Sequence, residues 1–305
     1  MKNDFLVRHK KDWQRNKTLY LMVLPVLLFY ICFHYKPMYG ALMAFFDYRP
    51  AKKLFECDFV GLENFIRFFE SPYFGRVVRN TLAISIGSLI IGFPAPIILA
   101  LMLNEVRNMK FKRITQTLTY LPHFISTIVV CGMIIQFSLS DGLFNNIIAF
   151  FGGERQALLQ NPSLYRPIYI FSGIWQGVGW GSILYLAALS GVDTQLYEAA
   201  MIDGAGKWRQ VIHVTLPGIM PTIIIQLILN IGSLMSVGYE KTLNLYNESI
   251  YETADIISTY VYRMGIGGQD WSYSAAVGLF NSVINCILLV VANKMSKKLT
   301  ETGLW

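Results

Sequence analysis

Charged side chains are scarce in this sequence, and that scarcity sets the class of protein. Only 15% of the 305 residues are Asp, Glu, Lys or Arg, whereas 54% are hydrophobic. This number of charged residues is too small to cover the surface of an ordinary globular domain of this size. The composition therefore predicts an integral membrane protein, with lipid as its surroundings.

Cysteine and catalytic motifs are also sparse. Three of the four cysteines fall in apolar stretches and Cys57 stands alone in a loop, so neither a disulfide framework nor a metal-ligand spacing appears. HExxH and GxSxG are missing, and His34 and His123 have no acidic partner at helical spacing. We therefore predict that the chain is not an enzyme, with no catalytic residue and no metal site, and we interpret His123 as structural.

Six windows are long enough to cross a hydrocarbon core of about 30 Å as helices, and none contains Asp, Glu, Lys or Arg. The absence of ionisable residues argues against an ion-coupled carrier, which needs such groups inside the membrane. The first window is near the minimum length and contains Pro25, and we retain it as a span rather than a cleaved signal peptide. The predicted spans are 19–35, 80–103, 116–139, 167–190, 217–238 and 272–293.

Basic residues predict the orientation of these spans. Fifteen of the 26 Lys and Arg residues lie in the two tails and in the short connections 104–113 and 191–216. The positive-inside rule places those segments, and hence both termini, in the cytoplasm. This bias explains the net charge of +7, so we infer no nucleic-acid partner. We predict a cytoplasmic tail 1–18, a six-helix domain 19–293 and a cytoplasmic tail 294–305.

The largest connection, 36–79, is predicted to lie outside. Within it, Leu62, Phe65, Ile66, Phe68 and Phe69 follow a nearly helical spacing. This pattern predicts a short helix. It either packs on the protein's own spans or lies in the membrane interface, and we favour packing.

Uncharged polar and aromatic side chains interrupt the last three spans. Amides and hydroxyls hydrogen-bond sugar hydroxyls, and aromatic rings stack on sugar faces, so these residues suit an uncharged polar cargo. Each also has a structural interpretation, because glycine-rich helix faces pack closely and tryptophans form interfacial belts. The candidate pathway residues are Trp175, Gln176, Trp180, Asn230, Ser233, Tyr239 and Asn281.

The connection between the fourth and fifth spans reads "EAAMIDGAGKWRQVIHVTLP" over 198–217. Asp193 or Thr194 can cap a helix that Gly204 or Gly206 ends in a left-handed conformation. A second short helix follows, and Pro217 opens the fifth span. The pattern predicts a helix, a bend and a helix parallel to the membrane surface, where a partner docks or, alternatively, lipid headgroups cover it.

This segment resembles the EAA loop of binding-protein-dependent ABC importers, whose pattern is EAA, a glycine six residues after the glutamate, and an I-x-L-P ending. Val214 stands at the usual isoleucine and Val211 where phenylalanine is frequent. Stretches such as "KPMYGALMAFFDYRP", "EKTLNLYNESIYETADIISTYVYR" and the terminal "ETGLW" are similar to the LplB-like branch of the carbohydrate-uptake, maltose-permease-like family. The matching or adjacent coupling residues are Glu198, Ala199, Ala200, Asp203, Gly204, Leu216 and Pro217.

The resemblance implies an all-α type I ABC importer permease fold in a bacterial cell membrane. It also implies a heterodimer with a second permease, two cytoplasmic ATPases and an extracellular sugar-binding lipoprotein. The chain has no GxxxxGK[ST] motif, so ATP and Mg are expected on the ATPases and no cofactor on this chain. We predict an oligosaccharide permease. A permease for another cargo, such as peptides or glycerol phosphate, is the alternative, and the charge-free spans argue against an anionic one.

Overall fold

The computed structural model describes the backbone of residues 2–305 and the side chains of residue 13 and of residues 15–305. Within these residues the only β-type pairing is an isolated bridge between Phe46 and Phe59, so the all-α prediction is confirmed. The helices are α1 Lys2–Tyr30, α2 Lys36–Met38, α3 Glu63–Glu70, α4 Phe74–Gly87, α5 Pro94–Glu105, α6 Met109–Tyr120, α7 Thr127–Ser138, α8 Leu143–Phe150, α9 Pro162–Ser190, α10 Thr194–Ile202, α11 Lys207–Gln210, α12 Leu216–Gly232, α13 Tyr239–Leu245, α14 Tyr251–Ala254, α15 Ile257–Tyr262 and α16 Trp271–Thr300.

Helices occupy all six predicted spans. Five helical runs of the described chain are long and apolar enough to cross a membrane. The fourth predicted span lies in α9, which has 29 residues but is less apolar because it carries four glycines and Gln176. The count of six spans is thus consistent with the structure and stays a prediction. The five runs are Arg15–Phe45, Phe74–Glu105, Thr127–Phe150, Lys207–Gly232 and Trp271–Thr300.

The predicted third span, 116–139, is wrong in its limits. Helix α6 ends at Tyr120, and a 3₁₀ turn with Pro122 in its first positions follows. The Ser126 hydroxyl then accepts a hydrogen bond from the Val129 amide and starts α7. A proline and a new N-cap restart the helix here. The apolar run that is long enough to cross a membrane therefore begins at Thr127 and not at residue 116.

Prolines also explain where the long helices widen. Three π-helical turns each end two residues before a proline, and in one the Phe93 amide donates to the Ser88 carbonyl five residues earlier at 3.2 Å. A proline donates no N–H and crowds the preceding turn, so the helix continues through a wider turn. The three turns are Ile31–Tyr35 before Pro37, Ser88–Gly92 before Pro94, and Val211–Thr215 before Pro217.

Helix α9 is the centre of the bundle. It packs along α5 and also contacts α4, α6, α12 and α14. Glycines permit this close packing: a Cβ at Gly179 would overlap the Thr119 carbonyl of α6, and one at Gly181 would lie 3.0 Å from Pro96 of α5. Helix α16 forms a second layer against α12, α15 and the 3₁₀ segment Tyr39–Phe45.

The short helix predicted in the 36–79 connection is α3, which confirms that prediction. Phe68 is buried against Phe74, Tyr273 and Phe280. The helix therefore packs on the protein's own α4 and α16, as favoured from the sequence. By contrast, the hydropathy window of the first run, Arg15–Phe45, has no buried residue within this chain.

The contact between α9 and α6 gives a stability prediction. Gly179→Ala places a methyl group into the Thr119 backbone, so we expect a loss of about 1–3 kcal/mol and a lower unfolding temperature of the purified protein. Gly177→Ala is the matched control, because a Cβ there meets nothing within 4 Å. Equal unfolding temperatures for the two variants would show that the α6–α9 contact is not tight.

Candidate functional sites

The segment between the fourth and fifth predicted spans folds as a capped helix with a sharp bend. The Asp193 carboxylate accepts a hydrogen bond from the Gln195 amide at 2.9 Å and caps α10. The helix ends before Gly204, which has a φ of +73°. The predicted cap and the predicted left-handed glycine are both confirmed. Gly206 instead has an ordinary φ and is the N-cap of α11.

The second half of this segment differs from the prediction. Helix α11 continues through the π turn Val211–Thr215 directly into α12, so Pro217 lies inside a continuous helical run and does not follow a break. The π turn makes this continuity compatible with Pro217, since a wider turn avoids the clash that a proline causes. The single bend between 202 and 207 therefore connects α10 directly to the fifth predicted span.

Internal contacts hold this bend in one shape. The Tyr197 hydroxyl hydrogen-bonds to the Thr215 hydroxyl at 3.0 Å. Within the bend, the Ala205 carbonyl accepts a hydrogen bond from the side-chain amide of Gln210 at 2.8 Å. Lys207 forms an ion pair with Glu105 at the end of α5, at 3.1 Å. The segment is thus attached to α12 and to α5.

The outer surface of α10 is open to a partner. Ile202 at the end of α10 and Trp208 on α11 are 87% and 82% exposed, so both apolar side chains are accessible to a partner. The predicted coupling residues all lie on this segment or at the start of α12. Among them Ala200 and Leu216 are partly buried, while Glu198, Ala199, Asp203, Gly204 and Pro217 are exposed.

A polar cleft of about 200 Å³ lies between α4 with its π turn, α9 and the end of α12. Asn230 and Ser233, both predicted pathway residues, line it. The Asn230 amide donates to the Gln226 carbonyl at 2.8 Å and the Ser233 hydroxyl to the Leu229 carbonyl at 3.2 Å. Ser236 also lines the cleft, together with Ser85, Ser88 and Tyr169, which were not predicted from the sequence. For Ser85 and Ser88, their spacing in the second span was the available signal.

Two further pathway candidates meet in a different cleft. Tyr239 and Asn281 line a space of about 490 Å³ beside α15 and α16. The Asn281 side-chain oxygen is buried without a hydrogen-bond partner among the described residues, so it remains available as an acceptor. The Tyr239 ring lies 5.5 Å from that of Tyr262.

The three candidates on α9 do not join these clefts. Trp180 stacks on His123 at 4.5 Å, and the Gln176 amide donates to the Ile125 carbonyl at 3.2 Å. Both hold the 3₁₀ turn after α6 against α9, which fits their structural interpretation and that of His123. Trp175 lines an apolar groove of about 520 Å³ with Phe137 and Phe171.

Lys241 is a buried cation that the sequence analysis did not single out. Its ammonium donates to the Tyr169 carbonyl at 2.8 Å and lies 4.6 Å from the centre of the Tyr169 ring. Burial lowers the pKa of Lys241 to about 8. Lys241 belongs to α13, outside the predicted spans, so a search of the spans for charges does not find it.

A second buried charge group is fully paired. The Asp255 carboxylate is inaccessible and forms ion pairs with Arg76 at 2.9 Å and Arg263 at 2.8 Å. The Asn80 amide also donates to the Asp255 carbonyl at 2.9 Å. These contacts fasten α4 to the α14–α15 region, and we interpret them as structural.

These features define a multi-pass membrane permease: apolar helices, polar clefts between them, and an exposed bent helix joining two spans. The described residues contain no group of three His, Cys, Asp or Glu that could hold a metal ion. The chain belongs to the family described as the binding-protein-dependent transport system inner membrane component, which matches residues 92–300. The family predicted from the EAA-like loop is confirmed, and the chain is a transport subunit rather than an enzyme.

Known relatives are similar over nearly the whole chain. Protein LplB of Bacillus subtilis (strain 168) is 46% identical over 293 residues, covering 96% of this chain and 92% of its own. The polygalacturonan/rhamnogalacturonan transport system permease protein YteP of the same strain is 44% identical over 292 residues, covering 95% and 91%. A chain of a bacterial alginate ABC transporter, solved with an alginate pentasaccharide-bound periplasmic protein, is 42% identical with a TM-score of 0.89, covering 96% and 99%.

The polar cleft gives a prediction about transport. Asn230→Ala removes an amide from the cleft, so we expect uptake by the assembled transporter to fall several-fold while its basal ATP hydrolysis persists. Asn244→Ala is the matched control, because Asn244 also donates to a carbonyl four residues earlier, at 2.7 Å, but on the exposed side of α13. Equal uptake by both variants would exclude Asn230 from the pathway.

Proposed function

We propose that this chain is a permease subunit of an ATP-driven importer that takes up oligosaccharides delivered by an extracellular sugar-binding protein. The observation that carries the proposal is similarity over nearly the whole chain, at 42–44% identity, to YteP and to the alginate transporter chain, whose names specify glycans. By comparison, a sn-glycerol-3-phosphate permease of Yersinia pestis is 29% identical over 272 residues, which supports glycans over that alternative.

The lining of the polar cleft suits such a cargo. Serine and tyrosine hydroxyls donate and accept hydrogen bonds, and an amide does both with separate atoms, so together they match the mixed donor and acceptor pattern of sugar hydroxyls. Ser85, Ser88 and Ser233 supply hydroxyls, and Asn230 supplies the amide. A single chain contributes one wall of this pathway, and the rest is expected from a second permease.

Uptake into proteoliposomes tests the cargo class. We expect the complex of this chain with its partner permease, ATPases and binding protein to accumulate labelled oligosaccharides when ATP is supplied. Oligogalacturonides, alginate oligosaccharides and arabino-oligosaccharides are compared with sn-glycerol 3-phosphate and a tripeptide. Accumulation of glycerol phosphate or peptide without any glycan would contradict the proposal.

The partners in the proposal are a second permease, two ATPases and a sugar-binding lipoprotein, with both termini of this chain in the cytoplasm. The unburied hydropathy window of the first run, Arg15–Phe45, is consistent with a neighbour or lipid covering it. ATP and Mg are assigned to the ATPases. Residues 204–208 offer no phosphate loop here, because Lys207 pairs with Glu105 and Trp208 stands where a P-loop has Ser or Thr.

Helix α10 is proposed as the element that couples ATP hydrolysis to transport. It is largely exposed, carries Glu198 and ends at Ile202, and the bend at Gly204 leads through α11 into α12. The bonds from Tyr197 to Thr215 and from Gln210 to Ala205 stiffen that bend. A movement of α10 driven by a closing ATPase would therefore reach the fifth predicted span without being absorbed by a flexible loop.

Two substitutions in α10 and its bend test this role. Gly204→Asp imposes a left-handed conformation on a residue with a side chain, at a cost of about 1 kcal/mol, and places a new group on the ATPase-facing surface. Glu198→Ala removes a charge expected to meet the ATPase, which costs about 2–5 kcal/mol if that pair is desolvated. We expect both variants to lose ATPase co-purification and sugar-stimulated hydrolysis.

Gly206→Ala provides the matched control for the coupling segment. Gly206 is exposed, has a φ of −67°, and a Cβ there meets nothing within 4 Å. It should retain ATPase binding and stimulation. If Glu198→Ala and Gly204→Asp behaved like this control, α10 would not be the coupling element.

A further inference from the structure

Lys241 has no counter-charge within the described part of the chain. The ammonium contacts the Tyr169 carbonyl and the Tyr169 ring, and no Asp or Glu forms an ion pair with it. The residue is 8% exposed. A buried ammonium is costly without a paired anion, so an ammonium kept in this state calls for a functional explanation.

The ammonium lies beside the polar cleft. Tyr169 and Gly238, which flank Lys241, both line the cleft of about 200 Å³. A second space of about 260 Å³ is lined by Ser88, Tyr169 and Gly173, among others. A Cβ at Gly173 would lie 3.4 Å from the Lys241 nitrogen, so the ammonium lies close to a glycine that lines this second space.

The two spaces form one groove along α9. They share Ser88 and Tyr169, and together they extend from Ser236 and Gly238 near the end of α12 to Gly92 and Gly177 deeper in the bundle. Lys241 itself is not part of either lining, but its ammonium donates to the carbonyl of Tyr169, which lines both spaces. The ammonium therefore lies directly behind the wall that the two spaces share.

We propose that Lys241 binds a carboxylate of the cargo as it passes along this groove, and that the cargo is an acidic oligosaccharide. An ammonium has three donors, and the Tyr169 carbonyl uses one of them. The serine hydroxyls and Asn230 supply partners for the sugar hydroxyls on the same groove wall. This inference rests on the proposed function and assigns the substrate class and one residue that selects it.

The charge-free spans do not contradict an acidic cargo. Each predicted span lacks Lys and Arg, and the lining of the groove comes from the second, fourth and fifth of these spans. Helix α13 lies after the fifth predicted span, and it brings Lys241 against α9 from outside the spans. The expectation against anionic cargo considered only the residues within the spans.

Three variants separate a role in selectivity from a role in packing. Lys241→Met keeps the apolar stem but removes the charge, Lys241→Arg retains the charge, and Lys298→Met removes an exposed lysine at the end of α16 as a control. Each is assembled into the full transporter, and its ATPase content and unfolding temperature are measured. Uptake is then compared for trigalacturonate and for the same trisaccharide with its carboxyl groups reduced to alcohols.

We expect Lys241→Met to lower trigalacturonate uptake at least about tenfold, while uptake of the reduced trisaccharide stays near that of the unmodified protein. Lys241→Arg should retain most of the acidic uptake, and Lys298→Met should retain all of it. If the binding protein delivers only the acidic sugar, the test is trigalacturonate uptake alone, which should be low for Lys241→Met and largely retained for Lys241→Arg.

Other outcomes overturn the proposal. An equal loss for both sugars, or a loss with Lys241→Arg as large as with Lys241→Met, would make Lys241 a packing residue that joins α13 to α9. Unchanged acidic uptake by Lys241→Met, or uptake of the reduced sugar alone by the unmodified protein, would also exclude the assigned role. In each of these cases oligosaccharide import itself would stand, whereas import of neither sugar nor any other glycan would refute the proposed function.

Discussion

Helix α9 packs against α4, α5, α6, α12 and α14, and glycines make that packing geometrically possible. Gly179 lies against the Thr119 backbone of α6, and Gly181 lies against Pro96 of α5. Across the bundle, a Cβ at Gly87 of α4 would lie 2.7 Å from Ile170 of α9. In a bilayer, helices gain little from hiding apolar surface, so association depends on this kind of close contact. The positions of the clefts follow from where α9 is held.

The same central helix joins the two candidate functional regions. Its N-terminal half forms one wall of the groove through Tyr169 and Gly173, and its C-terminal end leads into the capped helix α10. From α10 a single bend leads back into α12, whose far end carries Asn230 and Ser233 at the groove. The groove and the exposed segment are therefore connected through two packed helices, which is the physical basis for coupling them.

Sequence reasoning predicted the exposed segment well because its signals are local. A cap at Asp193 and a left-handed Gly204 each depend on the residues beside them, and both are present. The pathway residues stay a prediction, and the structure separates them. Of the seven candidates, Asn230 and Ser233 share one cleft, Tyr239 and Asn281 another, and Trp180 packs on His123. Composition and helical spacing give residue types, but they do not say which helix faces meet.

The sequence by itself determined that the chain is a helical membrane protein, where most of its apolar helices lie, and which segment is exposed between two of them. Hydropathy, prolines and caps act over a few residues, so they can be read along the chain. Only the tertiary structure decided that α11 runs unbroken into α12, and that Lys241 reaches the groove beside Tyr169. The first depends on a π turn that accommodates Pro217. The second joins residues 72 positions apart, and packing alone creates that contact.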